Sequence, residues 1–309
     1  MSTNVEPTRL QRSQQEFQDL LREILPGDGN TSVSESIEVF RRADANEVHH
    51  GVSSLALCMI AEGAKRVLLG DQSYLYDKDH YFISSLQLPT ASYVMTATAD
   101  KPYLAVRLLL DPAIVRSVLM SASRNFMQLQ DAAAFDVAEV DADLIDAMIR
   151  LLRVQQSADD AEILTPLIER EIVYRLLTGN HGGRLAHIAG MGPTTQGIMR
   201  ALTRMRSEFD HPLRIPEIAS DCGMSVSSFH DHFKRATGMT PLQYQKHLRL
   251  REARRLLLNE DIDVANAGFK VGYNDASHFN RDYKKLFGQS PMRDVESLRE
   301  AGPLAVAPN

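Results

Sequence analysis

Apolar residues recur with two different periods along this chain. Between Ser36 and Leu110 they come in short runs separated by turn residues, a pattern that predicts β-strands. Val67-Leu68-Leu69 and Ser73-Tyr74-Leu75-Tyr76 flank Gly70-Asp71, the signal of a two-residue hairpin. Asp77-Lys78-Asp79 turns the chain into Tyr81-Phe82-Ile83, and Thr90 to Thr98 and Tyr103 to Leu110 supply two more strands around Ala99-Asp100-Lys101-Pro102. Short strands at this spacing predict a sandwich or small barrel rather than a parallel sheet. Ahead of them, residues 1 to about 14 are polar and read as frayed, and Gln15 to Leu25 predicts a short helix closed by Pro26-Gly27-Asp28-Gly29.

After Pro112 the period becomes helical. Leu144, Ile145, Met148 and Leu152 form one apolar stripe, and Leu164, Leu167, Ile168, Ile172 and Leu176 form another. Such stripes are read either as burial against the sheet or as a helix pair that also meets its copy in a dimer. Gly179 to Gly192 holds five glycines in fourteen residues and reads as a linker. Beyond it Ile198, Leu202, Met205 and Phe209 mark the first helix of a second domain. The expected organisation is α+β, with residues 1–178 as a β-rich domain carrying helices, 179–194 as linker, and 195–300 as an all-α domain.

That all-α domain contains one motif twice. Ile218-Ala219 through Pro241 and Val264-Ala265 through Pro291 share an order of apolar, small and basic positions. Each copy starts with a short helical run, carries a small residue early (Ala219, Ala265), and reaches Gly223 or Gly272, where a left-handed turn ends the helix. A second helix follows, with Phe229 and Phe233 in one copy and Phe279 and Tyr283 in the other on a face that packs back on its partner. This is the outline of a helix-turn-helix, and residues 241–258 between the copies, one helix carrying Leu248, Leu250, Ala253, Leu256 and Leu257, read as a rigid spacer.

Charge and cysteine content refine the picture. The net charge of −6 argues against a nucleic-acid partner until the chain is divided: residues 196–309 hold 17 Lys+Arg against 14 Asp+Glu, and the first 195 hold 17 against 26. Cys58 and Cys222 fall in different domains, so a reducing, cytoplasmic setting is expected. The start lacks a secretory signal, and no apolar run approaches a membrane span, so no membrane partner is expected.

Gly238-Met239-Thr240-Pro241-Leu242-Gln243-Tyr244, Leu248 to Leu257, Val271-Gly272-Tyr273, Phe279, Tyr283-Lys284-Lys285-Leu286-Phe287-Gly288 and Ser290-Pro291 resemble the AraC/XylS transcription regulators. Leu55 to Asp71, Leu88-Pro89 and Lys101 to Leu108 resemble the cupin-like N-terminal domain of one branch of that family. The resemblance implies a cupin-like β-barrel or sandwich with a helical dimerisation region, then two helix-turn-helix motifs that bind double-stranded promoter DNA. It implies base reading by Ser227, Ser228, His230 and Asp231 in the first motif and by Ser277, His278, Asn280 and Arg281 in the second. Phosphate contacts would come from Lys234, Arg235, Lys284 and Lys285. Further partners implied are RNA polymerase, a second copy of the chain, and a small-molecule effector held by Arg66, Tyr74, Tyr76, Tyr81 and Arg107. Asp231, where a basic or amide residue is common, and Gly268, where Ala is more usual, depart from the family pattern.

The plainer readings stand beside these. Phe229, Phe233, Phe279 and Tyr283 are read as core, Cys222 as buried and inert, and Cys58 as a strand thiol rather than a sensor. His49 and His50 point to opposite faces if their segment is extended. The His-x-His ligands of catalytic cupins are absent, so no enzyme activity, metal or cofactor is expected. The alternatives kept open are a regulator whose N-terminal domain only dimerises, and a cupin enzyme with an appended DNA-binding domain.

Overall fold

The computed structural model describes residues 7–45, 48–70, 72–121, 135–179, 185 and 193–301. It divides into two compact units, residues 1–191 and 192–309. Most of the expected linker lies outside the described residues.

The first unit opens with helix α1 (Arg9–Ile24). Thr8 Oγ1 accepts from the Gln11 N–H at 3.2 Å, and the Gln11 side chain accepts from the Thr8 N–H at 2.8 Å. This reciprocal box starts the helix at Arg9, six residues before the apolar pattern alone suggested, because it satisfies two N–H groups that otherwise lack partners. Phe17, Leu20 and Leu21 are its buried face.

Ten strands follow among the described residues: β1 (Gly29–Ser32), β2 (Ile37–Arg42), β3 (His49–Val52), β4 (Ala56–Glu62), β5 (Ala64–Leu69), β6 (Gln72–Asp77), β7 (His80–Ser84), β8 (Pro89–Thr96), β9 (Tyr103–Leu109) and β10 (Phe135–Glu139). They form two antiparallel sheets, ordered β1-β2-β9-β4-β7-β10 and β3-β8-β5-β6. The hairpin signal holds, with β5 and β6 paired from Leu69 opposite Gln72 to Ala64 opposite Asp77. Strand β10 was not anticipated, since only three apolar residues, Phe135, Val137 and Ala138, mark it within a stretch of helical period.

Alternation along the strands divides the larger sheet into two faces. Ile37, Val39, Leu57, Met59, Ala61, Tyr81, Ile83, Leu104, Val106 and Leu108 form one core with α1, α2 (Pro112–Ser121), α3 (Ala142–Val154) and α4 (Ala158–Thr178). The opposite face meets the smaller sheet. There Tyr76 stacks on Phe82 with ring centroids 5.1 Å apart, and Tyr74 lies edge-on to Phe135 at 5.7 Å.

In α3 the predicted stripe of Leu144, Ile145, Met148 and Leu152 is buried. In α4 only the C-terminal half follows suit. Ile172 and Leu176 are closed from solvent, but Leu164 is 39% and Leu167 59% exposed, beside Ile163 at 65%.

The second unit is helical: α5 (Pro193–Ser207), α6 (Ile215–Asp221), α7 (Val226–Thr237), α8 (Pro241–Asn259), α9 (Val264–Lys270), α10 (Ala276–Phe287) and α11 (Pro291–Ala301). Leu250, Ala253, Leu256 and Leu257 of α8 pack with Ala267, Val271, Phe279, Tyr283 and Phe287 in one apolar core.

Candidate functional site

Helices α6 and α7, and again α9 and α10, make two helix-turn-helix units fused to α8. The turns are set by Gly223 (φ 71°) and Gly272 (φ 87°), in the left-handed region that side chains resist. Met224 N–H donates to Ala219 O at 2.9 Å, and Tyr273 N–H to Gly268 O at 3.0 Å. Gly268, not Ala265, is therefore the counterpart of Ala219, which corrects the pairing drawn from sequence. A Cβ at Gly268 would stand 3.0 Å from Phe279 Cγ and 3.1 Å from Cδ1, so this departure from the family pattern answers to close packing.

Each second helix is capped in the same way. Ser225 Oγ accepts from the Ser228 N–H at 3.3 Å, and Asp275 Oδ1 from the His278 N–H at 2.8 Å. Gly238 and Gly288 close the far ends at φ 68° and 81°. Phe229, Phe233, Phe279 and Tyr283 are fully buried, which fixes the rotation of each helix on its unit.

That rotation turns the remaining side chains outward. Ser227, His230, Asp231, Lys234 and Arg235 on α7 are exposed and Ser228 is half-buried; Ser277, His278, Asn280, Arg281, Lys284 and Lys285 on α10 are all exposed. Phe229 and Phe279, Lys234 and Lys284, and Arg235 and Lys285 recur fifty residues apart. Each helix thus presents a polar front near its N-terminus and two cations behind. Asn280 Nδ2 donates to Ala276 O at 2.8 Å, so its amide must turn from its own helix to reach a base edge. Arg235 lies against His232 Nδ1 at 2.7 Å.

Helix α8 holds the two helix-turn-helix motifs together, and sequence reasoning missed how. Arg249 Nε donates to Phe209 O at 2.7 Å, Nη1 to Gly272 O at 2.7 Å, and Nη2 to Asp210 O and His211 O at 3.1 and 3.0 Å. Gln245 Nε2 bonds Phe209 O and His211 O at 3.0 and 2.6 Å. Arg254 grips Asp294 with two bonds of 2.8 Å, and Asp294 accepts from Tyr283 Oη at 2.8 Å. A helix of mixed Leu and Arg gives no sequence signal for carbonyl targets, because those are set by backbone that arrives from elsewhere.

In the first unit the five residues expected around an effector do not share one space. Tyr74, Tyr76 and Arg107 lie between the sheets, since Tyr74 and Tyr76 meet Phe82, and Arg107 pairs across β9 with Cys58 and Glu38. Tyr81 belongs to the helix-facing core. Arg66 stands opposite Leu75 and Tyr93, on the outer face, where its Nη1 lies 3.3 Å from Tyr93 Oη. Register explains both corrections: Tyr76 faces Lys65, and Tyr81 is one residue out of phase with Phe82. The inward positions not foreseen are Glu38, Phe40, Arg42, Cys58, Lys65, Phe82, Tyr103 and Phe135.

Burial pushes the Cys58 thiol up and the Lys65 ammonium down from their ordinary values. Cys222 is buried and donates to Gly197 O at 3.1 Å. His49 and His50 lie in β3 opposite Ser92 and Ala91. Among the described residues no group of three or more His, Cys, Asp or Glu is placed to hold a metal ion, and no helix is long and apolar enough to cross a membrane.

Residues 34–184 match the family described as AraC-type transcriptional regulator N-terminus, and residues 218–296 match a helix-turn-helix domain family. The chain is similar to the HTH-type transcriptional regulator ArgR of Pseudomonas aeruginosa, 28% identical over 154 residues, covering 50% of this chain and 47% of that protein. It is similar to the HTH-type transcriptional activator RhaS of Klebsiella pneumoniae (strain 342), 32% identical over 100 residues, covering 32% of this chain and 36% of that protein. The matched segments thus span under half the length of either relative. The fold is shared with unsaturated-fatty-acid-bound wild-type ToxT from Vibrio cholerae strain SCE256, whose crystal structure has a TM-score of 0.55 at 10% identity and covers 87% of this chain and 98% of that one.

Proposed function

We propose, for a chain that belongs to the AraC/XylS family of transcription regulators, that it binds promoter DNA sequence-specifically through α7 and α10 under the control of its N-terminal domain. The observation that carries this reading is the repetition itself: two equally capped helices, each anchored by two buried aromatics, each with an outward polar front and two following cations. Arg281 suits a guanine edge and Asn280 an adenine edge through bidentate hydrogen bonds, whereas Ser227, Ser228, Ser277, His230 and His278 discriminate less. Asp231 suits a cytosine amino group. Lys234, Arg235, Lys284 and Lys285 neutralise phosphates, which sets register and makes affinity salt-dependent.

The exposed Ile163, Leu164, Leu167 and Tyr174 on α4 support dimerisation through that helix. The polar inter-sheet interior supports effector binding, in keeping with a fold shared with a fatty-acid-bound protein. An effector acts by binding the two states of the regulator unequally, and RNA polymerase is the partner through which a bound regulator acts.

Selection of genomic fragments by the purified full-length protein at about 150 mM salt tests the reading. A site bound roughly a thousandfold or more tighter than bulk DNA is expected. Uniform binding to all fragments, with and without cell metabolites, contradicts it.

A further inference from the structure

Corresponding residues of α7 and α10 lie fifty apart, and at three corresponding positions the two motifs differ in the same sense. His232 stands where Asp282 does, Phe233 where Tyr283 does, and, on the helix after each motif, Tyr244 where Asp294 does. In the second copy these positions tie α10 to its surroundings. Asp282 Oδ2 accepts from Lys246 Nζ of α8 at 3.0 Å and from Tyr273 Oη, beside the turn, at 3.4 Å. Tyr283 Oη donates to Asp294 Oδ2 at 2.8 Å, and Arg254 of α8 holds that carboxylate in turn. In the first copy the His232 ring bonds Arg235 of its own helix at 2.7 Å, and Phe233 meets Tyr244 edge to ring, centroids 5.7 Å apart. The turns follow suit: a Cβ on Gly223 would meet nothing within 4 Å, whereas one on Gly272 would strike Asp210 O at 2.2 Å.

Asp282 is the tie next to the reading front, because it adjoins Arg281 in sequence. Its side chain is only 17% exposed, so water and salt screen its bonds little. Phe279 and Tyr283 hold one face of α10, and Asp282, about 100° round the helix from Tyr283, holds the flank. A helix fixed on two sides cannot roll, which sets the direction of Arg281 before a duplex arrives. A reading group already in place pays little ordering cost on the right base and has no slack to accommodate a wrong one.

We propose, taking α7 and α10 as the reading helices, that Asp282 is a positioning residue for base recognition: its ties to Lys246 and Tyr273 fix Arg281, making the second motif the stringent reader and the first the adaptable one.

Binding of the full-length protein to its best selected site, to single-base variants of that site and to a scrambled duplex of equal length tests this. The element whose base preference Arg281→Ala relaxes is the one under α10. In the wild type, each mismatch there should weaken binding roughly tenfold or more, and each mismatch in the other element by no more than about threefold. Asp282→Asn keeps the size of the side chain and removes its charge. It should bring the larger penalty down to the smaller, while the scrambled duplex is bound as tightly as before or slightly tighter, since a charge that repels phosphate has gone. Asp282→Glu should keep most of the discrimination, and His232→Ala should leave the penalties in both elements as they were. Equal penalties in the two wild-type elements overturn the proposal. So does an Asp282→Asn protein that loses affinity for both duplexes alike with its mismatch penalties intact, the mark of a merely weakened fold. If Arg281→Ala relaxes neither element, α10 is not a base reader, and the proposal falls together with that reading.

Discussion

Arg249 Nη1 donates to the carbonyl of Gly272 at 2.7 Å, tying the spacer helix to the turn of the second motif. The same guanidinium bonds the carbonyls of residues 209–211 ahead of the first motif. Gly272 is confined from both sides, since a Cβ there would stand 2.2 Å from Asp210 O. One side chain thus fixes the turn of one motif against the entry to the other. Arg249→Met should destabilise the C-terminal unit by about 2–4 kcal/mol, as several carbonyls lose their donor at once. Arg249→Lys should recover little, because an ammonium lacks the planar fork. Urea unfolding of both variants checks this; a loss under about 0.5 kcal/mol for Arg249→Met contradicts it.

Gly268→Ala sets helix propensity against packing. Alanine gains about 1 kcal/mol in a helix interior, but the new Cβ would lie 3.0 to 3.3 Å from three atoms of Phe279. Phe279 is fully buried and cannot give way, so overpacking at about 1–3 kcal/mol wins. A lowered Tm is expected; a raised one shows that the core yields.

His247 on α8 is held down to about 4, by burial first and by Arg251 and Lys246 next. Its folded value lies below its unfolded one of about 6.5, so the unfolded chain binds the extra proton between them. The stability carried by the neutral ring is present above about pH 6.5 and is lost as pH falls through about 4. His247→Asn should flatten the decline in denaturant midpoint from pH 7 to pH 4.5. Parallel declines in the two proteins exclude this histidine as a source.

Leu167→Glu places a charge on the exposed stripe of α4, where Leu167 is 59% exposed. Monomer stability should change by no more than about 0.5 kcal/mol, since little packing is lost. For the α4-mediated dimer proposed above, the dissociation constant should rise roughly a hundredfold, because the change would enter the interface twice. Analytical ultracentrifugation that finds the same association state in variant and wild type contradicts dimerisation through this stripe.

The periodic features were legible in the residues because each rests on local chemistry. The hairpin at Gly70, the buried Phe229 and Phe279, and the left-handed turns at Gly223 and Gly272 all follow from spacing and glycine alone. Arg66 and Lys65 show where that legibility ends. Once Leu69 opposes Gln72, parity puts Lys65 rather than Arg66 on the face of Tyr76, a placement that the hairpin signal already carries. The exposed half of α4 and the targets of Arg249 were not available, since an apolar stripe does not say what covers it and a carbonyl carries no sequence mark.

Footprinting of the best selected site with wild-type, Arg281→Ala and Lys284→Ala protein tests the duplicated reading head most directly. Two protected elements about 10 base pairs apart on one face of the duplex, different in sequence, are expected. Arg281→Ala should relax base preference in only one of them, and Lys284→Ala should weaken binding to every sequence and flatten its salt dependence. A single protected element, or one uniform loss from both variants, contradicts it.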